Sequence, residues 1–151
     1  MRFILLTKAS RHSEAGIRPS GKSLSATKAY YDELEAAGVL VAVEGFMPSS
    51  SGLRLSYPVP GHRPVLTPGP LHDVQELISG YVMIEVNSED EAIAWALRMP
   101  DPNGYGEGAA ELRRMQELPL NAGSPFQQTM EDELRLSIGL PIQGSMRQGQ
   151  E

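Results

Sequence analysis

One imidazole and a few carboxylates stand where proton chemistry could be done. Glu44 interrupts the apolar run Val39–Met47, and Glu85 interrupts Tyr81–Val86. A carboxylate inside an apolar strand either faces solvent at a rim or is buried with its proton affinity raised. Two such groups brought close can hold one proton between them and act as an acid/base pair. The alternative for each is an exposed strand-end glutamate paired with Arg113 or Arg114. Gly45 permits close backbone approach beside Glu44, which makes Glu44 the stronger candidate of the two.

His72-Asp73 follows the turn Gly69-Pro70. There an imidazole can take a proton while a carboxylate orients it. Neighbours in an extended segment face opposite ways, so direct pairing requires a turn or a helix start. Otherwise Asp73 is a helix cap, and Glu76 is the alternative partner of His72. The remaining histidines, His12 and His62, lie in breaker-rich loops and read as solvated surface residues. Three scattered histidines with no His-x-x-x-His spacing give no metal site. Gly-Tyr-Gly-Glu-Gly at 104–108 lacks the lysine and the following helix of a phosphate loop and reads as a flexible connection. Tyr30, Tyr31 and Trp95 fall on predicted helices, where aromatic side chains pack cores or interfaces. No cofactor and no metal are expected.

The chain that must position these groups has 151 residues, 40% of them apolar and 21% charged. That suits a soluble globular domain and excludes a membrane helix, since no apolar run approaches the roughly 20 residues needed. Thirteen basic against nineteen acidic residues give a net charge of −6, which repels a phosphate backbone, so no nucleic-acid partner is expected. The absence of cysteine removes disulfides, thiol nucleophiles and thiolate metal sites. Met1-Arg2-Phe3-Ile4 is too short an apolar start for a signal peptide, and the expected compartment is the cytoplasm.

Arg2–Thr7 reads as a strand buried on both faces. Lys8–Lys22 carries the breakers of a long exposed connection. Ser23 or Ser25 caps a helix to about Ala37, with Leu24, Lys28, Tyr31 and Leu34 on one face and Gly38 as its C-terminal stop. Val39–Met47 is a strand ended by Pro48 and three serines. Leu53–Tyr57 and Pro64–Thr67 form a hairpin arm whose prolines keep it at a sheet edge. A short helical or irregular piece reaches Ile78, and Tyr81–Val86 is a strand. Asn87 or Ser88 caps a helix over Glu89–Met99, with Ala92, Ile93, Ala96 and Leu97 on one face. Gly108–Leu118 alternates as a last strand. Thr129–Ile138 forms a short amphipathic helix, and the final ten residues read as disordered. The organisation expected is one domain over 1–118 and a C-terminal extension over 119–151.

This order, β-α-β, hairpin, β-α-β, is that of an α+β, ferredoxin-like antiparallel sheet with both helices on one face. The other face would carry Leu40, Ala42, Tyr81 and Met83 in water. A homodimer packed sheet on sheet covers them, and a cleft between the sheets would offer Tyr81, Met83, Asp73 and Arg113 as ligand contacts beside Glu44, His72 and Glu85.

Four segments, Ala37–Ser50, Thr67–Leu71, Gly80–Val86 and Glu89–Ala96, together resemble the YCII-related proteins, in particular the subgroup named for its Asp-Gly-Pro-Phe motif. The resemblance spans about Met1 to Leu118 and implies a ferredoxin-like fold dimerising into an α+β barrel. The motif aspartate and phenylalanine are Pro68 and Leu71 here, so only the turn residues Gly69 and Pro70 carry over. Some family members pair a histidine of the first helix with an aspartate; Ser23–Ala37 holds no histidine, and that dyad does not transfer. Related dimeric barrels include small-molecule isomerases, dehydrochlorinases and monooxygenases, and such an analogy establishes no reaction. The expected function is binding of a small organic molecule in the cleft, where proton transfer without a cofactor, an isomerase or lyase step, is the most economical chemistry if the protein is catalytic. The alternative is a dimeric interaction module linked to transcription control, since members of the subgroup are often encoded beside alternative sigma factors.

Overall fold

The computed structural model describes residues 1–116 and Ser137. Its elements run β1 (Arg2–Lys8), α1 (Arg11–Glu14), α2 (Gly21–Ala36), β2 (Leu40–Gly45), β3 (Leu53–Ser56), β4 (Val65–Pro68), β5 (Ile78–Glu85), α3 (Glu89–Leu97) and β6 (Ala110–Arg114), with single 3-10 turns at Ser49–Ser51 and Val74–Glu76. The chain divides into two compact units, Met1–Met115 and Gln116–Glu151, and the first is described here. The expected helix at Thr129–Ile138 and the expected disordered end lie outside the described residues, apart from Ser137, which is helical.

Four strands form an antiparallel sheet in the order β2-β5-β1-β6. Two β-α-β halves interleaved in that order make the fold ferredoxin-like. Side chains alternate across a strand, so Phe3 and Leu5 of β1 share a face with Val82 and Ile84 of β5. That face is buried under Tyr30 and Leu34 of α2 and Ala92 of α3. Both helices therefore cover one side, and among the described residues no element covers the sheet's other side.

Helix α2 starts a turn earlier than expected, because Ser20 accepts the Ser23 amide at 3.2 Å. Ser23, Tyr30 and Leu34 turn inward, and Leu24 stays 51% exposed. In α3, capped by Ser88, the inward residues are Ala92, Trp95 and Ala96. Trp95 meets Tyr30 edge-on at 6.5 Å and accepts its hydroxyl at the backbone carbonyl at 2.9 Å. The expected inward Ile93 and Leu97 face outward, Leu97 at 82% exposure. A register irregularity between Leu40 and Ala42 puts Leu40 opposite Ile84, on the covered side, so of the expected open-face residues Leu40 belongs to the core. The last strand is shorter than the alternation suggested, and the hairpin of β3 and β4 is a two-stranded sheet of its own, unattached to the main sheet's edge.

Where β2 meets β5, Gly80 lies opposite Gly45, and a Cβ on Gly80 would stand 2.6 Å from the Glu44 carbonyl oxygen. Only glycine allows this approach. Leu34, fully buried, and Leu24 test the helix register. Leu34→Ala should lose about 2–5 kcal/mol through the cavity it leaves, and Leu24→Ala no more than about 0.5 kcal/mol, both read from urea denaturation midpoints.

Candidate functional site

The exit of β1 builds one wall of a cleft. Lys8 donates its amide to Ala109 and Ala9 to Leu77, at 2.8 and 2.9 Å, which ties the end of β1 to the segments before β5 and β6. Ser10 then caps α1 in a reciprocal capping box with Ser13. The region expected as an exposed connection thus contains a helical turn. It forms because the Ser10 hydroxyl satisfies the first free amides and is held in turn by the buried Asn103 amide at 2.9 Å. Arg11, next on the chain, lines a cleft of about 730 Å³ together with Ser10, His72, Asp73, Glu76 and Glu107.

His72 and Asp73 both reach this cleft because the chain turns there. Val74 donates its amide to the His72 carbonyl at 3.0 Å and Glu76 to the Asp73 carbonyl at 2.9 Å. Asp73 occupies the cap position of the 3-10 turn, yet its carboxylate makes no capping hydrogen bond, so the capping role expected for it is not made. Both side chains are solvent-exposed. The cleft combines an imidazole, three carboxylates and a guanidinium. Such a set can bind a polar molecule, anchor an anionic group and exchange protons with it.

Two linkages outside the cleft hold its walls. Glu14, at the end of α1, accepts the Ser49 amide at 3.1 and 3.2 Å and also its hydroxyl. Ser49 accepts the Leu71 amide at 2.9 Å. The chain passes so close that a Cβ on Gly69 would lie 1.7 Å from the Ser49 carbonyl oxygen, which is why glycine stands there. The second linkage is the loop Asp101–Gly108. The Asp101 carboxylate accepts the amides of Gly106 at 2.8 Å and Asn103 at 3.2 Å. Ser23 of α2 donates to the Asp101 carbonyl at 3.0 Å. His12 stacks on Tyr105 with ring centroids 4.3 Å apart, and its Nδ1 lies 3.2 Å from Glu107 Oε2. The loop read as a flexible connection is hydrogen-bonded at several points, and the histidine read as a solvated surface residue packs against it. Apart from the Asp101 bonds inside the loop, these partners lie more than twenty residues from their mates, so no local pattern announced them.

The other candidates occupy the open face. Cross-strand pairs share a face, and the register places Glu44 with Tyr81, Ile4 with Met83 and with Arg113, and Arg2 with Glu85. Glu44, Tyr81, Met83, Glu85 and Arg113 are thus brought together there, apart from His72 and Asp73. Glu44 sits at the Tyr81 row and Glu85 four residues further along β5, about 13 Å away at the usual rise per residue. The two carboxylates cannot share a proton within one protomer. The partner of Glu85 is Arg2 at 3.3 Å, not Arg113 or Arg114, because the pairing sets β1 directly opposite. Phe46, just past β2, meets the Tyr81 ring at 6.1 Å. Among the described residues no three His, Asp or Glu side chains cluster as a metal would require, and no helix is long and apolar enough to cross a membrane.

A family model for the YCII-related domain matches residues 1–117. The chain belongs to the YCII-related family. No curated protein matches it. Among solved structures it is similar to 5-chloro-2-hydroxyhydroquinone dehydrochlorinase (TftG) from Burkholderia phenoliruptrix AC1100, in complex with 2,5-dihydroxybenzoquinone. The two are 17% identical with a TM-score of 0.45, over 80% of this chain and 99% of that chain.

In this YCII-related domain Asp101 supplies a pH test. Burial pushes its carboxyl up, but the amides of Gly106, Asn103 and Gly104 outweigh that and hold it below its ordinary value. A carboxyl lowered by folding stabilises the fold above its unfolded pKa, and that contribution disappears as pH falls through the folded one. Denaturation midpoints measured down the acid range should fall more steeply for the wild type than for Asp101→Asn, which is expected to be the less stable of the two at neutral pH.

Proposed function

We propose that this protein binds a small organic molecule in the cleft lined by Arg11, His72, Asp73 and Glu76 and transfers a proton on it without a cofactor, in an isomerase or lyase type of step. The observation that carries this reading is the convergence of His72 with carboxylates and a guanidinium in a cleft large enough for a small metabolite. In the proposed step the neutral His72 imidazole takes a proton from a carbon next to a carbonyl or carboxylate group. Arg11 faces the negative charge that develops on oxygen, and the proton returns to the same molecule at another atom or leaves with a departing group. Asp73 and Glu76 stabilise the imidazolium formed in between.

The proposal places the protein in the cytoplasm as a homodimer. The open sheet face presents Ile4, Leu6, Tyr81 and Met83, only half-buried, and a second copy packed sheet on sheet would cover them. Glu44, Glu85 and Arg113 would then face the partner sheet as further ligand contacts. Assignment to the Asp-Gly-Pro-Phe subgroup rests on the four segments that resemble it.

The rival reading, a dimeric interaction module linked to transcription control, is favoured by the exposure of His72 and Asp73. A thermal-shift screen against small carboxylates and phenols separates the two. The enzyme reading expects a compound that raises the melting temperature in proportion to the logarithm of its concentration. His72→Asn and Arg11→Gln should abolish that rise while leaving the unliganded melting temperature unchanged. Deuterium from heavy water should enter the compound in the presence of wild type and not of His72→Asn. A panel without hits, or hits indifferent to both substitutions, would leave the module reading in possession.

A further inference from the structure

The hairpin arm turns its leucines outward. Leu53 and Leu55 of β3 stand on one face with Leu66 and Pro68 of β4, which lie directly opposite them. Arg54 and Ser56 stand on the other face with Thr67 and Val65, both of which are exposed, Val65 at 53%. A ribbon lying on its own domain would turn its leucines inward. Here Arg54 and Ser56 are half-buried, while Leu53, Leu55 and Leu66 are 52%, 46% and 57% exposed. Among the described residues the arm's strands pair only with each other, and a two-stranded ribbon is marginal in water without something on its apolar face.

The charge pattern says what that something is. From Gly45 to His72 the chain has no aspartate or glutamate but carries Arg54 and Arg63. The rest of the molecule keeps eleven basic against nineteen acidic residues, a surplus of eight negative charges. An apolar, cationic arm on an otherwise acidic body is complementary to the body of another copy and repelled by another arm. The body offers a matching strip on α3. Ile93 and Leu97, one helical turn apart, point outward, and Glu89, Asp90 and Glu91 fill the first turn beside them.

We propose that the arm docks on a second copy of this chain, its leucine face on the Ile93–Leu97 strip and Arg63 of its tip beside Glu89 and Asp90, two copies exchanging arms about a twofold axis. Helix α3 covers the core side of the sheet, so this contact is separate from the sheet-on-sheet pairing proposed above and independent of the reading of the cleft.

The test is the mass in solution of the full chain, by light scattering and sedimentation equilibrium, with circular dichroism confirming that each variant folds. Leu55→Asp combined with Leu66→Asp, and separately Leu97→Asp, should each halve the mass; all three sites are exposed, so the fold should persist. Arg63→Glu should weaken association about five- to tenfold, Asp90→Lys by a similar factor, and the two together should regain most of the loss. Met83→Asp, on the open sheet face, should leave the arm contact in place. If Met83→Asp alone dissociates the protein while the arm variants do not, the sheet pairing stands and this proposal falls. A wild-type monomer at micromolar concentration overturns it, as does association unmoved by Leu97→Asp. Tighter association of Arg63→Glu overturns it in favour of arm packed on arm.

Discussion

Phe3, Leu5, Val82 and Ile84 share one face of the two central strands, and the register that aligns them governs the placement of every polar group on the sheet. Slipping β1 against β5 by one residue would carry Phe3 and Leu5 to the open face and put Ile4 and Leu6 under the helices. Because the four are buried beneath Tyr30, Leu34 and Ala92, the pairing has one stable solution. With it come the positions of Glu44, Glu85 and Arg113 on the opposite side and the point at which β1 ends and turns into the cleft.

The cleft itself owes little to hydrophobic burial. Its walls are short turns, each held by one or two hydrogen bonds to a distant segment: Ser10 by Asn103, Ser49 by Glu14, Leu71 by Ser49. A buried or half-buried polar group left without its partner is costly, so these links are strongly specified even though each contributes modestly by itself. The division suits a binding site. The sheet and helices give a rigid base, and polar turns at one end supply side chains that can vary without disturbing it.

The two surfaces without a partner among the described residues, the open sheet face and the leucine face of the arm, differ in kind. The open face is an ordinary consequence of laying two helices on one side of a four-stranded sheet. The arm turns its leucines outward in the part of the chain that has no acidic residue. Its exposed leucines are the observation on which the proposed arm contact rests.

Sequence by itself determined the element order, the ferredoxin-like class and most strand positions, because alternation, caps and breakers act over a few residues and are legible there. It also marked His72, Asp73 and Glu76 as neighbours, which the local turn realised. Contacts between segments far apart in the chain were decided by the tertiary structure alone. The inward face of α2 and α3 depended on where Tyr30 met Trp95, and the side taken by Leu40 on an irregularity in β2. The partner of Glu85 depended on β1 lying next to β5, and the company of His12 on a loop some ninety residues away. Periodicity reports which residues can share a face. Which face is covered, and by what, depends on the packing of the assembled layers, and no window of the sequence contains that.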